Sequence, residues 1–208
     1  MSQSSTPSIL SYQHQADIIQ LVNVYRTDRA HGERVMQFAQ VIFELTKDMI
    51  VDKRQPHKSQ EELLMRLTIA ALLHDIGHYV NDVAHHKHSR YLIETARQTA
   101  EWDELLRADV ARLVFTHRKK AKRSWLISHF KNRRELFQLS AILRVADGLD
   151  RQHANGVEIV QGSVQQENYT LELTGLKEIH ARRIEEKKAD AWKFAFGHSL
   201  ALKTNRIP

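Results

Sequence analysis

An adjacent pair, His74-Asp75, closes the apolar run Leu63, Leu64, Met65, Leu67, Ile69, Ala70, Ala71, Leu72 and Leu73. A helix made of that run is apolar on every side and belongs inside a bundle. A carboxylate at its end needs a partner, because an unpaired buried charge is costly unless its pKa shifts until it is neutral. A divalent cation is one such partner, and adjacency lets both side chains reach one ion. The plainer alternative is Asp75 capping the Gly77 turn beside a surface His. The chain holds 13 His and 0 Cys, so imidazoles and carboxylates are its only strong metal ligands. Thiolate sites, disulfides and cysteine nucleophiles are excluded.

Two further positions weigh toward the metal. His31 falls early in a helix predicted from about Asp28 to Lys47, with Asp28 as its N-cap. Asp147 falls in Leu143-Arg144-Val145-Ala146-Asp147-Gly148-Leu149-Asp150-Arg151, on the face shared by Leu136, Leu139, Ser140 and Leu143. It therefore emerges from an inward stripe. Asp150 competes with it, but the neighbouring Arg151 suggests a surface pair. Such an N/O ligand set suits Zn, Fe, Mn, Ni or Mg, as one ion or two.

The elements that must position these groups are mostly helical. Met1 to about Ser11 reads as a loosely docked start. Ser59, followed by Glu61 and Glu62, opens the apolar helix in accord with its dipole. Helices are then predicted at about His86 to Thr99, Trp102 to His117 and Arg134 to Leu149, with a basic connector, Arg118 to Arg134, before the last. Past Gly156 the pattern changes to a hairpin, Val157–Val160 and Tyr169–Leu173, then a helix from Glu178 to Phe196 and a strand at Ser199–Lys203. The fold class is mainly α, a helical bundle over residues 1–155 with a small α+β C-terminal extension over 156–208. The 208 residues are 42% hydrophobic and 27% charged, ordinary for a globular chain and too apolar for disorder to be expected. No segment has the length or apolarity of a membrane span or signal peptide, so a cytoplasmic protein is expected.

In order, His31, the pair His74-Asp75 and Asp147 match the signature of the HD-domain metal-dependent phosphohydrolases. The chain more closely resembles the C-terminal HD domain of the exopolyphosphatase / guanosine pentaphosphate phosphohydrolase family. The stretches that carry this likeness are Asp28 to Val35, Leu73 to Ile93, Thr116-His117-Arg118-Lys119 and Ala141 to His153. The tail from Val157 is similar to that family's terminal hairpin, helix and strand. The resemblance implies an HD-type bundle with His31, His74, Asp75 and Asp147 on the first metal and Asp75 central to catalysis. It implies His85 and His117 on a second metal, with His88 competing with His85. His78 resembles the second His of an His-Asp-x-Gly-His variant and would protonate a leaving group. His14, His57 and His86 are read as solvated or core residues. That family carries an actin-like module ahead of this domain, and no glycine-rich phosphate loop occurs here. The expectation is a stand-alone HD domain with its own substrate.

Basic residues outnumber acidic ones, 31 to 25, which favours an anionic partner. The run Arg118, Lys119, Lys120, Lys122, Arg123, Lys131, Arg133 and Arg134 is a solvated connector by default. Since it begins beside His117, it could instead line the mouth of a metal site. Lys119, Lys120, Arg144 and Arg151 are the candidate phosphate anchors. The expected partner is a phosphorylated small molecule, a nucleotide foremost, cleaved at an ester or anhydride by metal-activated water. A non-catalytic nucleotide- or protein-binding domain with a regulatory role is the alternative. Nucleic acid is disfavoured for want of a recognition motif, and a homo-oligomer is left open.

Overall fold

The computed structural model describes residues 9–50, 59–118, 123–151, 156–165 and 167–205. Lys119, Lys120 and His57, with the predicted boundary at 155, lie outside the described residues. The chain is mainly α, and a small three-stranded sheet closes its C-terminal end. Helix α1 (Tyr12–Val24) was not anticipated. Its buried stripe is short, Ile18, Leu21 and Val22, and Ser11 caps it by accepting from the His14 amide at 3.1 Å. Helix α2 (Arg29–Ile50) follows, capped as predicted by Asp28, whose Oδ1 accepts from the His31 amide at 3.0 Å.

Ser59 and Glu62 form a reciprocal capping box at the start of α3 (Gln60–Leu73). α3 ends at the His-Asp pair and passes into a 3-10 turn, Ile76–Tyr79. α4 (His85–Thr95) and α5 (Glu104–Thr116) complete the bundle wall. The basic connector contains a short helix, α6 (Arg123–His129). Leu126 and Phe130 turn inward there and set its pitch against the bundle, which the surrounding cations obscured in the sequence. α7 (Arg134–Asp150) is the axis of the molecule, buried at nearly every position from Leu136 to Asp150.

The extension comprises β1 (Glu158–Gln165), β2 (Asn168–Thr174), α8 (Glu178–Lys187), α9 (Trp192–Phe196) and β3 (Ser199–Asn205). β1 and β2 form the antiparallel hairpin, and β3 returns parallel to β2. A 3-10 turn, Ala189–Ala191, breaks the long helix predicted for Glu178 to Phe196. The sheet does not stand apart from the bundle. Tyr169 Oη donates to the Leu45 carbonyl of α2 at 2.9 Å, and fully buried Trp192 packs between Tyr169 and Phe196. Among the described residues no helix is long and apolar enough to cross a membrane.

Candidate metal centre

Close helix contacts bring the site together. Gly32, next to His31, would place a Cβ 3.2 Å from the Leu72 carbonyl, so glycine lets α2 approach the end of α3. At Gly77 a Cβ would fall 2.1 Å from the His85 carbonyl oxygen and 2.4 Å from the Ser89 amide. Only glycine permits α4 to sit so near the His-Asp corner. Ser89 then fastens the joint. Its Oγ donates to the His74 carbonyl at 2.6 Å and accepts from the Gly77 amide at 2.9 Å.

His31 Nε2 lies 3.2 Å from His74 Nε2, 3.6 Å from Asp75 Oδ2 and 3.9 Å from Asp147 Oδ1. On the far side of the same carboxylate, Asp75 Oδ1 lies 3.2 Å from His85 Nε2, 3.4 Å from His117 Nε2 and 3.6 Å from His78 Nε2. Asp75 thus stands between two clusters, with one oxygen toward each. His31, His74, Asp75, Asp147, His85, His117 and His78 all converge. His88 does not join either cluster, whereas His85 does.

The outward faces of the rings fix their protons. His31 Nδ1 meets Asp150 Oδ2 at 2.6 Å, His74 Nδ1 the Ala71 carbonyl at 2.8 Å, and His117 Nδ1 the Val114 carbonyl at 2.5 Å. These partners only accept, so each Nδ1 carries a hydrogen and each ring turns Nε2 inward, the atom whose lone pair can bind a metal in the neutral ring. His31 Nε2 and His74 Nε2 therefore face each other across 3.2 Å, and in neutral rings their two lone pairs would converge on a cation placed between them. Among the described residues Asp75 Oδ1 is buried without a hydrogen-bond partner. Lone-pair donors, an orphaned carboxylate oxygen and N/O chemistry fit a divalent transition metal.

His85 differs from the other rings. Its Nδ1 faces Arg118 Nη1, a donor, at 3.1 Å. In this arrangement the ring proton sits on Nε2 and points toward His117. Binding through Nε2 requires the proton to move to Nδ1 and Arg118 to withdraw. The pocket of His31, His74, Asp75 and Asp147 is preorganised for an ion, while the His85–His117 pocket is not.

Electrostatics follow the same geometry. Burial opposes ionisation of Asp75, but His74, His117 and His85 outweigh it and hold the carboxyl well below the usual range. Burial likewise works against Asp147, yet Lys188, His74 and His117 bring its pKa down to about 2. Burial pushes His85 down to about 3 against the pull of Asp75, so the ring is neutral. His78 stands at the rim, and its Nδ1 donates to Asp82 at 2.6 Å.

A cleft of about 930 Å³ opens over the centre, lined by Tyr25, Arg26, His78, Tyr79, Arg118 and Arg151 among others. Arg151, a candidate anchor, is thus on the cleft wall. Arg144 is not, which corrects the sequence expectation. It is fully buried and donates to Asp190 at 2.6 Å, the Thr116 carbonyl at 2.8 Å and the Lys188 carbonyl at 3.3 Å, tying the extension to α7. Asp150 is no surface partner of Arg151 either. It is 1% exposed and accepts from Arg34 Nε at 2.5 Å as well as from His31. Its place three residues after Asp147 on the same helix was the signal that could have found it. Lys188 was missed altogether. It reaches back from the extension to pair with Asp147 Oδ2 and donates to the His117 carbonyl at 3.3 Å. Nothing in Glu185-Glu186-Lys187-Lys188 distinguishes it from a solvated helix end.

A helical bundle thus turns imidazoles and carboxylates from five helices, α2, α3, α4, α5 and α7, toward one central Asp, a candidate metal centre. Residues 14–190 match the family model for the Ppx/GppA phosphatase, domain III, and the chain belongs to that family. No curated protein matches the chain.

Proposed function

We propose that the protein is a metal-dependent phosphohydrolase acting on a phosphate ester or anhydride, a nucleotide foremost. The observation that carries this reading is the pair of inward-facing Nε2 atoms of His31 and His74, 3.2 Å apart beside two carboxylates. A domain that only bound a nucleotide or protein would have no need of that arrangement. His31, His74, Asp75 and Asp147 would hold a first divalent ion, and Asp75, His85 and His117 a second. When bound, such an ion lowers the pKa of water toward neutrality and offsets charge on phosphoryl oxygens.

The chain's own groups supply the rest. Asp75 spans both pockets and sets their spacing. Lys188 occupies the outer oxygen of Asp147, leaving one oxygen of that carboxylate turned inward. Asp82 holds the His78 ring with Nδ1–H outward, which leaves Nε2 as the atom that would give a proton to a leaving oxygen. Arg118 and Arg151 offer guanidinium forks suited to phosphate oxygens.

The test is phosphate release by chelator-stripped protein resupplied with Mn, Fe, Zn, Ni or Mg. The substrates are p-nitrophenyl phosphate, nucleotides and inorganic polyphosphate. Turnover should require added metal and vanish in a folded Asp75→Ala variant. Undiminished turnover in that variant would reject the mechanism.

A further inference from the structure

The cleft is larger than one phosphate at a metal centre requires. Its volume of about 930 Å³ matches sites that enclose a drug-sized ligand. The part of its wall formed by the α1–α2 loop carries a residue out of keeping with its backbone. At the end of α1 the Thr27 amide bonds to the Val22 carbonyl at 3.0 Å and the Arg26 amide to the Asn23 carbonyl at 3.3 Å. That is the Schellman pattern, and its left-handed position normally falls to glycine. Here it is Arg26, with φ of +46°.

An arginine at that position resists the backbone conformation it must adopt, so local stability does not explain it. Packing does not explain it either. The side chain is exposed, lines the cleft, and forms no ion pair or hydrogen bond among the described residues. Asp28, the nearest acid in sequence, is engaged in capping α2. Beside Arg26 the Tyr25 ring meets Tyr79 edge-on at 5.4 Å, which braces this loop against the 3-10 turn that carries His78. Arg151 and Lys187, also exposed, line the same cleft.

We infer that Arg26 is the centre of an anion subsite that holds a second phosphate of the ligand, apart from the phosphate at the metal centre. Arg151 and Lys187 add positive charge to the same cleft. The ligand is accordingly a compound with two or more phosphate groups. This inference rests on the phosphohydrolase reading for what the subsite serves, but binding alone tests it.

The probes are inorganic triphosphate and orthophosphate, titrated by calorimetry into the full chain. Arg26→Gly should weaken triphosphate binding by about tenfold, as expected for one charge-assisted phosphate contact. Orthophosphate binding should fall far less. The same variant should melt no lower than the native chain, because glycine suits the left-handed position. Arg26→Gln, which keeps the backbone demand but not the charge, should lose triphosphate equally without gaining stability. Triphosphate bound equally by native, Gly and Gln chains, or not bound by the native chain, would overturn the subsite. Arg26-dependent binding with no phosphate release from any substrate would uphold the subsite and remove only the hydrolase reading.

Discussion

Replacing Asp150 with Asn tests how the centre is held in register. The Asp150 carboxylate is 1% exposed and accepts from His31 Nδ1 at 2.6 Å and from Arg34 Nε at 2.5 Å. It is the group that keeps the His31 proton on Nδ1 and the Nε2 lone pair turned inward. An Asn amide can present its NH₂ to the ring instead, which draws the proton to Nε2 and removes the lone pair. Changing a partner of this kind lowers metal affinity by about 10- to 100-fold, or roughly 1.4 to 2.7 kcal/mol. A second effect acts on stability. Breaking a fully buried ion pair costs about 3–5 kcal/mol, but the Arg34 end is 28% exposed, so about 1–3 kcal/mol is the fitting range. Arg34→Met separates the two effects, since it breaks the ion pair and leaves the His31–Asp150 bond. Chelator competition should show Asp150→Asn losing about tenfold or more in metal affinity while Arg34→Met stays within about threefold. Urea unfolding at pH 7 should show both variants destabilised. Native affinity in Asp150→Asn, or an equal loss in Arg34→Met, would refute the reasoning.

Other consequences follow from single contacts. Lys188→Met strands the outer oxygen of Asp147, a loss of about 3 kcal/mol in metal-free protein, and added Mn should restore more thermal stability than it adds to the native chain. Gly77→Ala forces a Cβ against the His85 and Ser89 backbone. It should displace α4 and cost several kcal/mol, measured by urea unfolding, with loss of any His85-dependent metal binding. His129 is pushed down to about 4 by burial, with Arg112 and Arg90 adding to it, from an ordinary value of 6.5. The unfolded chain therefore takes up this proton first, and stability is full above pH 6.5 and declines as pH falls toward 4. His129→Phe, which keeps the stack on Trp125, should flatten that part of the unfolding profile, and an unchanged slope would contradict the assignment.

What the sequence disclosed was whatever local chemistry requires. A carboxylate at the end of an all-apolar helix demands a partner, and Asp75 and Asp147 were legible for that reason. The caps Asp28 and Ser59 were legible because their hydrogen bonds lie within three residues. Long-range partners were not. Asp150 looked paired with its sequence neighbour Arg151, yet its partners are His31 and Arg34 on α2. Arg144 looked available to phosphate because its buried partners Asp190 and the Lys188 carbonyl come from the remote extension. Lys188 is hidden in a helix whose composition suggests full solvation. α6 was concealed among cations that mask Leu126 and Phe130.

The central claim is that the inward lone pairs of His31 and His74 exist to hold a cation. Its most direct measurement is Mn titration of the chelator-stripped full chain, native and His74→Ala, by calorimetry, with circular dichroism to verify the fold. The account predicts an ion bound by the native chain and none at that position in the folded variant. Equal binding by both chains, or a native chain that takes up none of Mn, Fe, Zn, Ni or Mg, would contradict it.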